Sequence, residues 1–380
     1  MKKHYFLGMA ANYTRDERRA HTFKVGHKED LKDLERYLLR RYGGERAILA
    51  KNGRSALALA LKAYFNKGDQ ILVNGFTCYA VYEAIKAAEL SPIFVDISLK
   101  DLNFDFDALS KLFPEPNDAD SKPSQASAIK GIIVQNTLGN PVDMSKIEEF
   151  AKKHNLTIIE DLAHSAGVRY EDKREAGTVG AATVLSFGKD KSIDTISGGA
   201  VVLRHPYKNP IKAPKRHPKL SDHLRARFYP TFGAICRTLS YVHLGGALMR
   251  LLVKIHWVER SADNKLDLKR RLSKFEAKLA LMQIKGLSRT GEKPLRSFYF
   301  VKDRDALLLE LSKSGYYFGS FWYEKPVSPK RYYKKVHFNE KDCPNSVYAA
   351  DHIINLPNYY NRRDLAPARK IIEKYLEETA

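Results

Sequence analysis

Cysteine is scarce in this chain. Its 380 residues include three, Cys78, Cys236 and Cys343, with no Cys-x-x-Cys pair and no histidine at ligand spacing. That argues against a disulfide framework and against a zinc site. Long apolar runs are missing too: no stretch approaches the roughly 18 uninterrupted apolar residues that a membrane span needs. Residues 1–8 carry two lysines but no apolar run of signal-peptide length, so a cytoplasmic protein is expected. Acidic residues are also in deficit, with 44 Asp and Glu against 65 Lys and Arg, a net charge of +21. From 204 to 274 there are 17 basic and 4 acidic residues, so this segment alone supplies +13. Such an excess fits anionic partners or simply a solvated basic surface. Nucleic acid is not expected, because no helix-turn-helix, zinc-finger or RNP signature accompanies the charge. What the chain does have is 44% apolar residues and enough length for a large domain plus a smaller one.

From residue 46 onward strand and helix patterns alternate. Short apolar runs at 47–50, 71–73, 92–96, 132–134, 157–159, 183–185 and 200–203 read as strands. Between them, 55–63, 81–88 and 144–154 read as helices. Near-continuous apolar strands separated by helices predict an α/β fold with a mostly parallel sheet covered on both faces. Helices are also expected at 29–42 and 365–378. The Pro-rich stretch 114–127 reads as a surface loop. The segment 229–258 is apolar, interrupted by Arg250 and Lys254 and flanked by basic residues. It fits a helix packed on a partner subunit, the favoured reading, or one lying on an anionic membrane surface.

Two strand ends carry the chemistry. Ile158-Ile159-Glu160-Asp161 ends in a carboxylate, and thirty residues on Lys189-Asp190-Lys191 follows Leu185-Ser186-Phe187-Gly188. An amine and a carboxylate at neighbouring strand ends are what pyridoxal 5'-phosphate (PLP) requires. The amine bonds the cofactor aldehyde, and the carboxylate keeps the pyridine nitrogen protonated so that the ring withdraws electrons. Spacing does not choose between Lys189 and Lys191. Asn52-Gly53-Arg54-Ser55 joins a strand to a helix, a turn suited to cradling phosphate, and Ser186 could add a hydroxyl. Taken alone, that turn is more simply a helix cap. His164 is either a structural histidine or a partner for the ring oxygen.

In order along the chain, these segments resemble the DegT/DnrJ/EryC1/StrS family of PLP-dependent nucleotide-sugar aminotransferases. The segments are Asn52-Gly53-Arg54-Ser55-Ala56-Leu57, Lys67-Gly68-Asp69, Pro92-Ile93-Phe94-Val95-Asp96, Gly139-Asn140-Pro141-Val142-Asp143, the Asp161 stretch, and Ser186 to Lys191 closed by Gly198-Gly199. The likeness covers about 28–203, with a fainter echo at 268–287 and in the tail. It implies fold type I: a large PLP domain around a seven-stranded-type sheet and a smaller C-terminal α+β domain. Boundaries are expected near 1–45, 46–267 and 268–380, with a basic apolar insert at 204–267. It implies Lys191 as the lysine bonded to PLP, Asp161 at the pyridine nitrogen and His164 beside the ring oxygen. Arg54, Ser55 and Ser186 take the phosphate positions, and Cys78 and Tyr79 the place of the ring that stacks on the cofactor. Lys269 stands where members supply an asparagine from the partner subunit, so a homodimer with interface active sites is implied. Arg54 replaces a usual threonine and Cys78 a usual aromatic, and 204–267 has no family counterpart.

The expected function is amino transfer, with glutamate as donor, to a nucleotide-linked keto-sugar in surface-glycan synthesis. A PLP-dependent sugar dehydratase is the nearer rival, disfavoured because such relatives replace the lysine kept here. The other is a non-catalytic module that binds a membrane or partner.

Overall fold

The computed structural model describes residues 5–7, 13–113, 128–259, 263–287, 294–318, 322–358 and 365–377. The loop expected at 114–127 lies outside the described residues. A seven-stranded sheet organises the fold, in the order Arg46–Ala50, Gly199–Leu203, Ala182–Ser186, Thr157–Asp161, Ile129–Val134, Gln70–Asn74, Ser91–Val95. Gly199–Leu203 runs antiparallel to both its neighbours, and the other pairings are parallel. The strands read as continuous apolar runs because both faces are covered. On one face the helix Gly53–Tyr64 packs Leu57, Leu61 and a row of alanines against Ile48, Val184 and Val201. On the other, Leu34 and Leu38 join Ile147, Ala280 and Ile284 over Leu72, Ile132 and Leu185.

This packing corrects two expected boundaries. The helix Lys28–Tyr42, assigned to an N-terminal segment, and the helix Lys274–Ile284, assigned to the C-terminal domain, share one core with the sheet. Each turns an apolar stripe to the sheet. A reciprocal cap between Ser273 and Glu276 starts the second of them. Beyond it, Arg296–Phe300 pairs antiparallel with Ile353–Pro357, and this ladder packs with the helices Arg304–Lys313 and Ala366–Glu373 around Leu307, Leu311, Ile354 and Ile372. The tail helix is shorter than its sequence pattern suggests.

The segment 229–258 is not one helix. Leu220–Leu239 and Gly245–Lys254 form a helical hairpin, broken at Ser240–Val242 and by His243 at φ 62°. Gly245 permits the tight return, since a Cβ there would strike the Cys236 carbonyl and the Ser240 hydroxyl. The hairpin packs through Ala226, Tyr229 and Leu252 on Tyr13, Phe275 and Leu279, and so leans on the helix Arg15–Phe23 and the large core. Leu244, Leu251 and Ile255 remain exposed on its outer side. No described helix is long and apolar enough to cross a membrane.

Candidate active site

At the C-terminal ends of the parallel strands lies a cavity of about 1540 Å3. Asn52, Gly53 and Arg54 line it where Arg46–Ala50 turns into its helix; Cys78, Asp161 and Ser186 each stand at or just past a strand end. Parallel strands deliver their last residues to one edge, so segments far apart in sequence meet there.

Asp161 closes the strand Thr157–Asp161 and is 6% exposed. Oδ1 accepts the Ala163 N–H at 3.1 Å, and Oδ2 takes no hydrogen bond among the described residues. Burial pushes its pKa up to about 6, against the pull of the Ala163 N–H and the Lys191 charge. Lys191 is held below its usual value, chiefly by burial, with the Arg296 cation adding to the effect. Its Nζ lies 4.3 Å from the centre of the Trp322 ring. Lys189 lines the same cavity but is engaged by its wall: Nζ donates to the Glu259 carbonyl and sits 4.2 Å from the Tyr229 ring. Burial lowers its pKa to about 8. That leaves Lys191 as the amine whose field is felt at Asp161 and His164.

The tautomer of His164 follows from its contacts. Nδ1 accepts the Leu138 N–H at 3.1 Å, so the proton resides on Nε2, which is 3.4 Å from the Tyr323 hydroxyl. Burial, with Lys191 and Arg296 nearby, keeps the ring neutral. It stacks on Trp322 with centroids 4.8 Å apart and planes at 15°.

At the phosphate turn, Asn52 caps the helix by accepting the Ser55 N–H at 2.9 Å. A Cβ on Gly53 would lie 2.7 Å from the Ser186 Cβ and 2.8 Å from its hydroxyl, so only glycine lets the turn and Ser186 converge. The Arg54 side chain reaches Glu83 at 2.5 Å. Three expected residues are not brought to the cavity. Ser55 faces away, its hydroxyl accepting the Asp267 N–H at 3.0 Å. Tyr79 stacks on Tyr332 at 4.4 Å and 21°, outside the cavity lining, and does not stand in for a ring at Cys78. Lys269 is exposed outside its own chain's cavity, in a turn where its N–H bonds Asp267.

Other walls come from places the motifs did not reach. Trp322 and Tyr323 enter because Val327–Ser328 pairs with Thr77–Cys78, pinning this distant segment beside the site. Arg296, 2% exposed, bonds Asn355 and sits 5.0 Å from the Trp322 ring. Met249, Arg250, Val253 and Lys254 line the cavity from the hairpin. Asp194 organises the lysine loop by accepting from Tyr13, Asp190 and Ile196.

The donor set fits PLP. Asp161 keeps an oxygen for a ring N–H, His164 offers a neutral N–H donor, and Lys191 is a buried amine. A helix N-terminus with the Ser186 hydroxyl offers a phosphate seat.

The sequence matches the model of the DegT/DnrJ/EryC1/StrS aminotransferase family over residues 11–224, more than half of the chain. The chain belongs to this family. GDP-perosamine synthase of Escherichia coli O157:H7 is 34% identical over 157 residues, 41% of this chain and 40% of that protein. The match thus spans about two fifths of that relative's length. Among solved structures, a DegT/DnrJ/EryC1/StrS aminotransferase from Brucella abortus superposes with a TM-score of 0.63, 20% identity, and coverage of 92% of this chain and 90% of the other. The E. coli GDP-4-keto-6-deoxy-D-mannose-3-dehydratase, solved with bound hydrated PLP, gives 0.61 at 17% identity, covering 98% of this chain and 99% of the other. The expected fold type I architecture is the fold of this DegT-family chain. The family match ends within the hairpin's first helix, so most of the hairpin lies beyond it.

Proposed function

We infer that this protein is a PLP-dependent aminotransferase that moves an amino group, from glutamate, to a nucleotide-linked keto-sugar in surface-glycan synthesis. The observation that carries the reading is the pairing of Lys191 and Asp161 in one cavity, the amine depressed by burial and the carboxylate open on one oxygen. Family membership and the likeness to sugar-nucleotide enzymes support it.

When bound, PLP supplies an electron sink that stabilises negative charge on the donor's Cα. Asp161 would hold the proton on the ring nitrogen, and that positive charge would favour its charged carboxylate form. His164 would donate Nε2–H to the ring oxygen, its tautomer set by the Leu138 N–H on Nδ1. Lys191 would be the base for the Cα proton and the acid that gives it back. Its depressed pKa keeps a larger neutral fraction available at neutral pH. Gly53, Arg54 and Ser186 seat the phosphate. The protein works as a homodimer in this reading, with Lys269 serving the cavity of a second copy. The exposure of Lys269 outside its own cavity supports that arrangement.

The test is the visible spectrum of the purified protein with added PLP, wild type beside Lys191→Ala, before and after borohydride. A yellow band in the wild type, converted by reduction to a covalent adduct on the Lys191 peptide and missing from the variant, is expected. No such band in the wild type would refute the reading and leave a binding module. Lys191 itself argues against the dehydratase alternative.

A further inference from the structure

Cys78 presents a small side chain to the cavity, and Tyr79 turns away to Tyr332. An aromatic surface arrives instead from a distant segment. Trp322 is half-buried and lines the cavity. Its indole lies nearly parallel to the His164 ring, with planes at 15° and centroids 4.8 Å apart, and the Lys191 Nζ stands 4.3 Å from its centre. In the aminotransferase reading those two groups serve adjacent substituents of the PLP ring, the amine its aldehyde and the imidazole N–H its neighbouring oxygen. Indole and imidazole are in direct stacking contact, so no third ring fits between them. A ring that meets both groups lies beside His164, within reach of the indole.

Trp322 is also firmly placed. Val327–Ser328 pairs in parallel with Thr77–Cys78, and Trp322 and Cys78 pack on one apolar cluster with Phe76, Leu138 and Tyr323. The Trp322 carbonyl accepts from the Asn355 side chain, and the Arg296 guanidinium stands 5.0 Å from the indole centre. Tyr323 continues the stack, its ring at 15° and 6.3 Å. Packing alone accounts for Tyr323, which is buried in the cluster, but not for the indole surface that Trp322 leaves on the cavity.

We propose that Trp322 is the aromatic platform of this site, lying against the PLP ring where Cys78 offers none. The proposal rests on the aminotransferase reading and names a positioning residue for it. Strand ends of the large sheet supply the amine, the carboxylate and the phosphate seat, whereas the ring comes from the segment that pairs with Thr77–Cys78. Cofactor retention thereby depends on how that segment is docked. Tryptophan suits the task because its large, rigid face stacks on a flat ring at little cost in side-chain freedom.

The test measures the affinity of the full chain for PLP by equilibrium dialysis, and for inorganic phosphate by competition with PLP. Trp322→Leu is expected to weaken PLP binding roughly 3- to 10-fold, the loss of one stacked pair. It should leave phosphate affinity unchanged, because phosphate has no ring to stack. Trp322→Ile, a second apolar side chain without a ring, should behave alike, and Trp322→Phe should recover most of the affinity. Trp257→Phe, at the chain's other tryptophan and outside this cavity's lining, should change nothing. The same loss from Trp322→Leu is expected in the Lys191→Ala background, where no covalent bond to PLP can form. The idea fails if Trp322→Leu binds PLP as wild type does, or if PLP and phosphate weaken equally, which would make Trp322 a support of the site's shape. It also fails if the loss disappears in Lys191→Ala, since Trp322 would then act through the lysine. A wild type that gives the borohydride adduct on Lys191 while its PLP affinity ignores Trp322 refutes the platform and leaves the aminotransferase reading standing. PLP affinity that depends on Trp322 in a chain giving no adduct would uphold the platform and refute that reading.

Discussion

Glu160→Gln is the substitution that best tests how the fold holds its site. Glu160 is fully buried at the end of the strand that delivers Asp161. Its Oε1 accepts the N–H groups of Val179 and Gly180 at 2.8 and 2.6 Å. Its Oε2 accepts the Gly177 N–H at 2.6 Å and the Tyr170 hydroxyl at 2.7 Å. One carboxylate thus ties the turn 177–180 to the strand end. In glutamine one oxygen becomes NH2. With that nitrogen in the Oε2 place, the Tyr170 hydroxyl can rotate to accept from it, but the Gly177 N–H faces another donor. An orphaned buried N–H costs about 1–3 kcal/mol, and the two surviving bonds each lose about 1 kcal/mol of charge assistance. Relief from burying a charge returns part of this, so a net loss of about 3 kcal/mol is expected. Against a typical stability of roughly 5–15 kcal/mol that is a large share. Urea unfolding at neutral pH, followed by far-UV circular dichroism, reads the loss directly. A difference below about 0.5 kcal/mol, the range of an ordinary surface change, would refute the clamp.

Three further expectations concern the site. Gly53→Ala puts a methyl 2.7 Å from the Ser186 Cβ, and PLP titration should show roughly tenfold or greater loss of affinity, with Ser186→Gly partly restoring it. Asp161→Asn should still bind PLP yet lose most of its turnover, since an amide cannot hold the ring nitrogen protonated. A variant as active as wild type would remove Asp161 from the mechanism. Asp194 has its pKa raised to about 7 by burial and by the Asp190 charge. The folded chain therefore keeps a proton that the unfolded chain releases near pH 4. This contribution to stability is full below about 4 and is lost as pH rises through about 7, at about 1.4 kcal/mol per unit. Asp194→Asn cannot titrate and should flatten the stability profile in that window, whatever it does to absolute stability. An unchanged slope would rule this group out.

The order of the elements was legible in the amino-acid sequence because it is written locally. Apolar runs of strand length, alanine- and leucine-rich helices and Gly53 in a strand-to-helix turn need no knowledge of distant neighbours. That Asp161, His164, Ser186 and Lys191 meet in one cavity was legible for a related reason: they stand at a strand end or in the loop just past it, and parallel strands bring their ends to one edge. What depended on tertiary packing was hidden. Ser55 and Tyr79 sit beside site residues in sequence, but Asp267 and Tyr332 draw them away. The contacts that set Lys189 apart from Lys191, with Glu259 and Tyr229, come from a segment with no motif. Trp322 reaches the site through a two-residue pairing with Thr77–Cys78, too short to leave a pattern. The apolar run 229–258 looked like a single helix because periodicity says nothing of where a chain folds back. Only the packing of Gly245 against Cys236 and Ser240 makes it a hairpin, and only that return brings Arg250 and Lys254 to the cavity.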